Sequence, residues 1–190
     1  MCGLVGILGH KGDPGERQEI VRRMAATLVH RGPDGEGHAT QGDCELGFRR
    51  LAIIDVEAEA PPFPNEDRSI WSMANAEIYN SGDIVPTLEA HGHVLRTKVD
   101  TEVIPHLYEE HGVDLVDHLN GMFAFCVWDE PRNTLLLGRD RTGEKPLFYW
   151  WNDGELVFAS ELRAMLTHPR TPRAVDPLSL IHISEPTRQY

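Results

Sequence analysis

Several functional classes are marked by features this sequence has little of. Basic residues are outnumbered, with 18 Lys and Arg against 30 Asp and Glu and a formal net charge of −12. A nucleic-acid surface needs a basic stripe to neutralise phosphates, and none is present. The same balance argues against an anionic membrane surface. No apolar run reaches the roughly 18–20 residues that a bilayer span needs, and the N-terminus lacks the basic flank and cleavage site of a secretory signal. The three cysteines, Cys2, Cys44 and Cys126, form no C-x-x-C pair. That odd count without a framework fits a reducing cytoplasm and at least one free thiol. Neither a Gly-x-x-x-x-Gly-Lys-Ser/Thr loop nor a Gly-x-Gly-x-x-Gly loop occurs, so nucleotide binding within these residues is not expected. Of ten histidines, only His91 and His93 stand close together, and His106, His111 and His118 lack ligand spacing with a third partner. No metal site is expected.

What is present starts at the first residues, Met1-Cys2-Gly3-Leu4-Val5-Gly6-Ile7-Leu8-Gly9. Removal of Met1 would leave Cys2 carrying a thiol and a free α-amine, with reference pKa values of roughly 8.5 and 7.7–8.0. A nucleophile and a proton acceptor would then share one residue. Gly3 is expected to leave room beside the thiol, and the apolar run to form a buried strand. A start codon followed by a buried structural cysteine is the plainer alternative.

Along the chain, apolar residues at helical spacing predict a helix over Glu16–Val29, ended by the Gly and Pro of residues 30–35. A strand is expected over 44–56, running from Cys44-Glu45-Leu46-Gly47-Phe48 into Leu51-Ala52-Ile53-Ile54, and a short one near Ser69–Met73. Helices follow over Asp83–Ala90 and Glu102–His111. The C-terminal half turns strand-like at Met122–Trp128, Thr134–Gly138, Pro146–Trp151 and Leu156–Ala159, with turn residues at hairpin spacing between them. Ser160-Glu161 opens a last helix. The pattern is α+β, with antiparallel strands at both ends and helices between.

Three groups of residues have a claim on chemistry. In Asn75-Ala76-Glu77-Ile78-Tyr79-Asn80, an Asn amide beside a backbone N–H suits an oxyanion pocket, though a polar turn leaving a strand reads the same way. Arg49 and Arg50 face opposite sides of an extended chain, so one can clamp a carboxylate while the other is solvated; two surface cations are the alternative. Asp100 caps a helix or receives a ligand ammonium.

Taken together these stretches resemble the glutamine amidotransferase domain of the N-terminal-nucleophile hydrolases, most closely that of glutamine-hydrolysing asparagine synthetases. The resemblance is carried by Met-Cys-Gly-Leu-Val-Gly-Ile (1–7), His-Arg-Gly-Pro-Asp-Gly (30–35), Arg-Arg-Leu-Ala-Ile-Ile-Asp (49–55) and Asn-Ala-Glu-Ile-Tyr-Asn (75–80). It continues through Asp-Thr-Glu-Val-Ile (100–104), Leu-Asn-Gly-Met-Phe-Ala-Phe (119–125), Gly-Arg-Asp-Arg-Thr-Gly-Glu-Lys-Pro-Leu-Phe-Tyr (138–149) and Phe-Ala-Ser-Glu (158–161). It implies a four-layer αββα sandwich of two antiparallel sheets. Cys2 would be the nucleophile and its amine the base, with Asn75 and the Ala76 N–H as oxyanion donors. Arg50 would bind the glutamine α-carboxylate, with Glu77 and Asp100 near its α-amino group. The Arg31 loop and the 138–149 block are expected to be scaffold.

The implied substrate is L-glutamine, hydrolysed through a thioester to supply ammonia for ATP-dependent amidation of aspartate. No cofactor is implied for this domain; ATP and Mg²⁺ belong to a synthetase domain, which is the implied partner, with a homodimer admitted for the full-length protein. The alternatives are an ammonia-supplying domain of another class II amidotransferase and a catalytically weak glutamine-binding scaffold. Ala76 stands where the family has glycine, and its Cβ is costly if the backbone there takes a positive φ, so glycine at 76 is expected to raise turnover. Val99 replaces a serine and Pro105 an ordinary helix residue. The expected organisation is an amidotransferase domain over 2–170, the start of a linker over 171–178, and a tail over 179–190 resembling an in-frame translation of a sequencing adapter.

Overall fold

The structure is a computed structural model, and it describes residues 1–10 and 12–174. The part of the expected linker from residue 175 onward and the expected tail lie outside the described residues. Nine strands and four α-helices follow one another as β1 (Gly3–Leu8), α1 (Pro14–Ala26), β2 (Gly35–Gln41), β3 (Cys44–Arg50), β4 (Phe63–Pro64), β5 (Ile70–Ile78) and α2 (Ser81–Ala90). The order continues with α3 (Val103–His111), β6 (Gly121–Asp129), β7 (Thr134–Arg139), β8 (Phe148–Asn152), β9 (Glu155–Ala159) and α4 (Leu162–Met165). Short 3₁₀ turns precede and follow α3, at Asp100–Glu102 and Gly112–His118. None of the helices among the described residues is long and apolar enough to cross a membrane.

The strands form a five-stranded sheet in the order β2-β3-β1-β9-β8 and a four-stranded sheet in the order β4-β5-β6-β7. Every pairing is antiparallel. Three separate cores fix the layering. Val5 and Ile7 of β1 and Val157 and Ala159 of β9 pack with α1 and α4 on one side of the five-stranded sheet. Leu4, Leu46, Phe48 and Phe158 meet Trp71, Met73, Cys126 and Trp128 between the two sheets. Ala74, Ile78, Phe123 and Phe125 pack beneath α2 and α3 on the far side. Three cores require four layers, and the order is αββα, as the resemblance implies.

The N-terminal strand lies in the middle of its sheet, so the chain start is not free to fray. Leu4, Val5 and Ile7 are fully buried, each worth about 1.5–3 kcal/mol relative to exposure. Gly6 is required for packing, because a Cβ there would lie 2.2 Å from the Phe158 ring. Gly3 makes room for Leu28, whose Cδ1 a Cβ would meet at 2.9 Å.

Several elements differ from their sequence expectation. Helix α1 starts at Pro14, with Asp13 accepting the Gly15 N–H at 2.7 Å as its cap, and stops at Ala26. The strand expected to reach residue 56 stops at Arg50. Leu51–Ile54 is instead a loop, with Ile53 and Ile54 exposed, so its apolar run lines a cleft rather than a sheet. Strand β2 is polar and glycine-rich (Gly-Glu-Gly-His-Ala-Thr-Gln), and β5 extends through Asn75–Ile78, where a polar turn was the alternative.

Candidate active site

Strand β5 builds the site through its alternation. Ala74, Ala76 and Ile78 face the helix layer, while Trp71 and Met73 face the other sheet. Side chains two apart share a face of a strand, so Asn75 and Glu77 continue the inter-sheet row to its end. Cys2 packs against that same core. At this end lies a cleft enclosing about 620 Å³ of space free of protein atoms, part of it open to solvent, and lined by Met1, Cys2, Arg50, Asn75, Glu77 and Asp100. Ala76 lines it too, so all six residues singled out from the sequence meet at one place.

The Cys2 backbone is held firmly. Ser160 is buried beneath it, and its Oγ accepts the Leu4 N–H at 3.0 Å while its own N–H donates to the Leu4 carbonyl at 2.9 Å. Arg31 Nε donates to the Cys2 carbonyl at 2.9 Å, and Arg31 Nη1 donates to Glu161 Oε1 at 3.0 Å. The Arg31 loop and the Phe-Ala-Ser-Glu stretch thus act by positioning the chain start. Sγ of Cys2 accepts the Leu51 N–H at 3.4 Å. Burial pushes the thiol pKa up; the Leu51 N–H, the positive N-terminus and Arg50 oppose it without reversing it.

Asn75 is buried, and its Nδ2 has no hydrogen-bond partner among the described residues. Such a donor is costly to leave unmet, and it faces the cleft. The Ala76 backbone borders the same cleft. Opposite Ala76 stands Phe123, whose N–H and carbonyl both engage Asp140, at 3.2 and 2.8 Å. In an antiparallel ladder such a pair is not hydrogen-bonded across β5 and β6, so the Ala76 N–H points outward. Two residues on, the Ile78 N–H on that edge donates to Asp100 Oδ2 at 2.7 Å. Ala76 is not among the non-glycine residues with positive φ. The backbone strain expected of a Cβ at this position is therefore absent, and the methyl sits in the helix-layer core.

Arg50 is buried, and its guanidinium donates to the carbonyls of Ala58, Ile54 (2.9 Å) and Asp55 (2.7 Å). These bonds fold the 51–58 loop over the cleft and use three of five N–H groups, leaving two for a ligand. Arg49 points the other way and pairs with Glu36 at 2.6 Å, as adjacent strand positions require. Asp100 opens the 3₁₀ turn instead of capping it, since Val99 is the preceding residue and no side chain caps this turn. Its carboxylate ties the turn to β5, and burial raises its pKa against the lowering effect of the Ile78 and Thr101 N–H groups.

Sequence reasoning missed Lys145, which is buried and lines the cleft. The 138–149 block carries it there. Asp140 accepts the N–H groups of Glu144 (2.9 Å), Lys145 (3.1 Å) and Phe123 (3.2 Å) and the Thr142 hydroxyl (2.9 Å). Burial would raise the Asp140 pKa, but these donors outweigh it and hold the carboxyl well below the usual range. The signal in sequence was a lysine inside a Gly- and Pro-bounded turn, which is indistinguishable from a solvated one.

A family model described as a glutamine amidotransferase domain matches residues 1–188. The chain belongs to the glutamine amidotransferase domain family. Among curated relatives of this amidotransferase domain, glutamine-hydrolysing asparagine synthetase 2 of Bacillus subtilis (strain 168) is 43% identical over 175 residues, covering 91% of this chain and 23% of the relative. The glutamine-hydrolysing asparagine synthetase of Asparagus officinalis is 42% identical over 166 residues, covering 87% and 28%. The domain therefore spans less than a third of the length of these relatives. The solved glutamine phosphoribosylpyrophosphate amidotransferase from B. subtilis, complexed with ADP and GMP, superposes with a TM-score of 0.68 at 23% identity, over 87% of this chain and 43% of that one. This likeness establishes the fold.

Proposed function

We propose that this amidotransferase domain hydrolyses L-glutamine to glutamate and ammonia through a thioester on Cys2. The observation that carries the reading is the buried, unpartnered Asn75 Nδ2 in the same cleft as a partly exposed N-terminal thiol. Loss of Met1, which lines the cleft beside Cys2, frees the Cys2 amine and widens the mouth. The thiol proton passes to that amine, and Sγ attacks the side-chain amide carbon. Asn75 Nδ2 and the Ala76 N–H hold the developing oxyanion, in the manner that makes fixed donors effective. The ammonium returns its proton to the leaving nitrogen as ammonia departs, and water then cleaves the thioester, restoring the thiol. Arg50 takes the α-carboxylate, with Glu77 and Asp100 on the α-ammonium. No cofactor enters this sequence of steps.

In the full-length protein we assign the ammonia to ATP- and Mg²⁺-dependent amidation of aspartate by a synthetase part. The names of the relatives at 37–43% identity, glutamine-hydrolysing asparagine synthetases, support asparagine as the product. The test is release of glutamate from glutamine by the chain, with and without a thiol-directed glutamine analogue. The reading expects glutamate release abolished by the analogue and by Cys2→Ala; release that persists in Cys2→Ala overturns it.

A further inference from the structure

We propose that Glu66, His93, His106 and Glu109 form a structural binding site for one tetrahedral divalent cation of the zinc type. The four side chains come from the β4–β5 turn, the segment after α2, and helix α3. Each offers one donor atom, and the four donors lie within 4.8 Å of one another. His93 Nδ1 and His106 Nδ1 are each 3.3 Å from Glu66 Oε1 and 3.7 Å from Glu109 Oε2. A tetrahedron with metal–donor bonds of 2.0–2.2 Å has edges of about 3.3–3.6 Å, so these four separations lie close to its edges, and the remaining two are within 4.8 Å.

The state of His106 points to a ligand. Its ring is fully buried, yet neither nitrogen makes a hydrogen bond of proper geometry with any described residue, and Nδ1 faces the Glu66 and Glu109 carboxylates. Buried polar atoms are rarely left this way. The surroundings also resemble the outer supports of metal sites. His93 Nε2 lies 3.1 Å from Glu110 Oε1, Asn65 Nδ2 donates to the second Glu109 oxygen at 3.0 Å, and the Val94 N–H donates to Glu66 at 2.7 Å. Two neutral imidazoles and two carboxylates carry a charge that one divalent ion cancels. With four protein ligands the site is closed, which suits a structural role over a catalytic one. It would staple the β4–β5 turn to the helix layer, including the segment that presents Asp100 to the cleft.

A second cluster in the same molecule shows the contrast. His10 and His168 also surround a buried carboxylate, Glu155, but there the Arg170 guanidinium pairs with Glu155 directly. A protein cation fills the place of a metal. Among the described residues, no Arg or Lys pairs with the carboxylates of the Glu66 cluster.

The test uses the whole 190-residue chain, stripped with a chelator, then titrated with Zn²⁺ against a chromophoric competitor and separately with Co²⁺. We expect one equivalent bound, a Zn²⁺-dependent rise in melting temperature, and the intense visible bands of tetrahedral Co²⁺. His93→Ala, at a partly exposed position, and Glu66→Ala, at an exposed one, should each lower affinity at least 100-fold. Glu110→Gln should lower it about 10-fold, and His10→Ala should leave it unchanged. Labelling of Cys2 by the glutamine analogue should persist in the His93 and Glu66 variants, which reports that they are folded. Absence of binding, binding that survives both substitutions, or an octahedral Co²⁺ spectrum overturns the proposal. None of these readouts depends on glutamine hydrolysis.

Discussion

The closed interior of the inter-sheet core and its open end hold the same residue type under opposite conditions. Cys44 and Cys126 are fully buried between the sheets. Burial drives the Cys44 pKa well above its ordinary value, with the neighbouring Cys126 adding to the effect, and pushes Cys126 up to about 12. These thiols are inert packing. Cys2 touches the same core but stands at its edge, where a backbone N–H, the N-terminus and Arg50 work against burial. What separates the thiols is their place in this core: Cys2 stands at its open end, where the β5 row that begins with Trp71 and Met73 ends with Asn75 and Glu77. Sulfur chemistry follows microenvironment.

Substitution at Cys2 and at Cys44 should separate these regions most strongly. Cys2→Ala should abolish glutamine turnover, by on the order of 10³-fold or more. Cys44→Ala should retain turnover and cost about 1 kcal/mol of stability, read by chemical denaturation. Comparable loss of turnover from Cys44→Ala would erase the distinction. Asn75→Ala should lower kcat by on the order of 10²–10³-fold with a small change in KM, because in the proposed mechanism the lost donor serves the oxyanion and not the bound ground state. A change confined to KM would move Asn75 into substrate binding.

Asp140→Asn tests the loop that brings Lys145 to the open end, and should cost about 1–3 kcal/mol at neutral pH. Its sign with pH is determined. The folded-state pKa is depressed, so the stabilisation is present in full above the unfolded value of about 3.9 and is lost as pH falls below it toward the folded pKa. The gap between wild type and variant in denaturation midpoint should hold at pH 5–7 and shrink below about pH 4. The smallest effect belongs to Ala76→Gly. With Ala76 in extended backbone, kcat should stay essentially unchanged and stability fall by about 0.5–1 kcal/mol; a large gain in kcat would restore the sequence-based expectation.

Much of this was legible in the sequence, for reasons that differ by element. Strands β1, β6, β7 and β9 and helix α1 announce themselves because their apolar periodicity is what builds the three cores. Strand β2 does not, since a polar, glycine-bearing strand is held by its ladder to β3 and not by its side chains. The Leu51–Ile54 run misled in the opposite sense: its apolar residues wall a cleft, and Arg50 holds the loop through main-chain carbonyls that no side-chain pattern encodes. Cys2, Arg50, Asn75 and Asp100 stood out by their own chemistry, each ambiguous alone, and motif resemblance joined them with Glu77 into one set whose members line one cleft. Lys145 was missed because its burial depends on the Asp140-centred turn. The Glu66, His93, His106 and Glu109 cluster was missed because only His106 and Glu109 share a helix.

The central claim is that the reacting sulfur belongs to a residue whose own amine is free. The most direct measurement is intact-mass analysis of chains with and without Met1, each incubated with the thiol-directed glutamine analogue and each assayed for glutamate release. The account predicts one adduct on Cys2 and turnover in the chain lacking Met1, and no turnover in the chain that keeps it. Equal turnover with Met1 attached, or an adduct on Cys44 or Cys126, would contradict it.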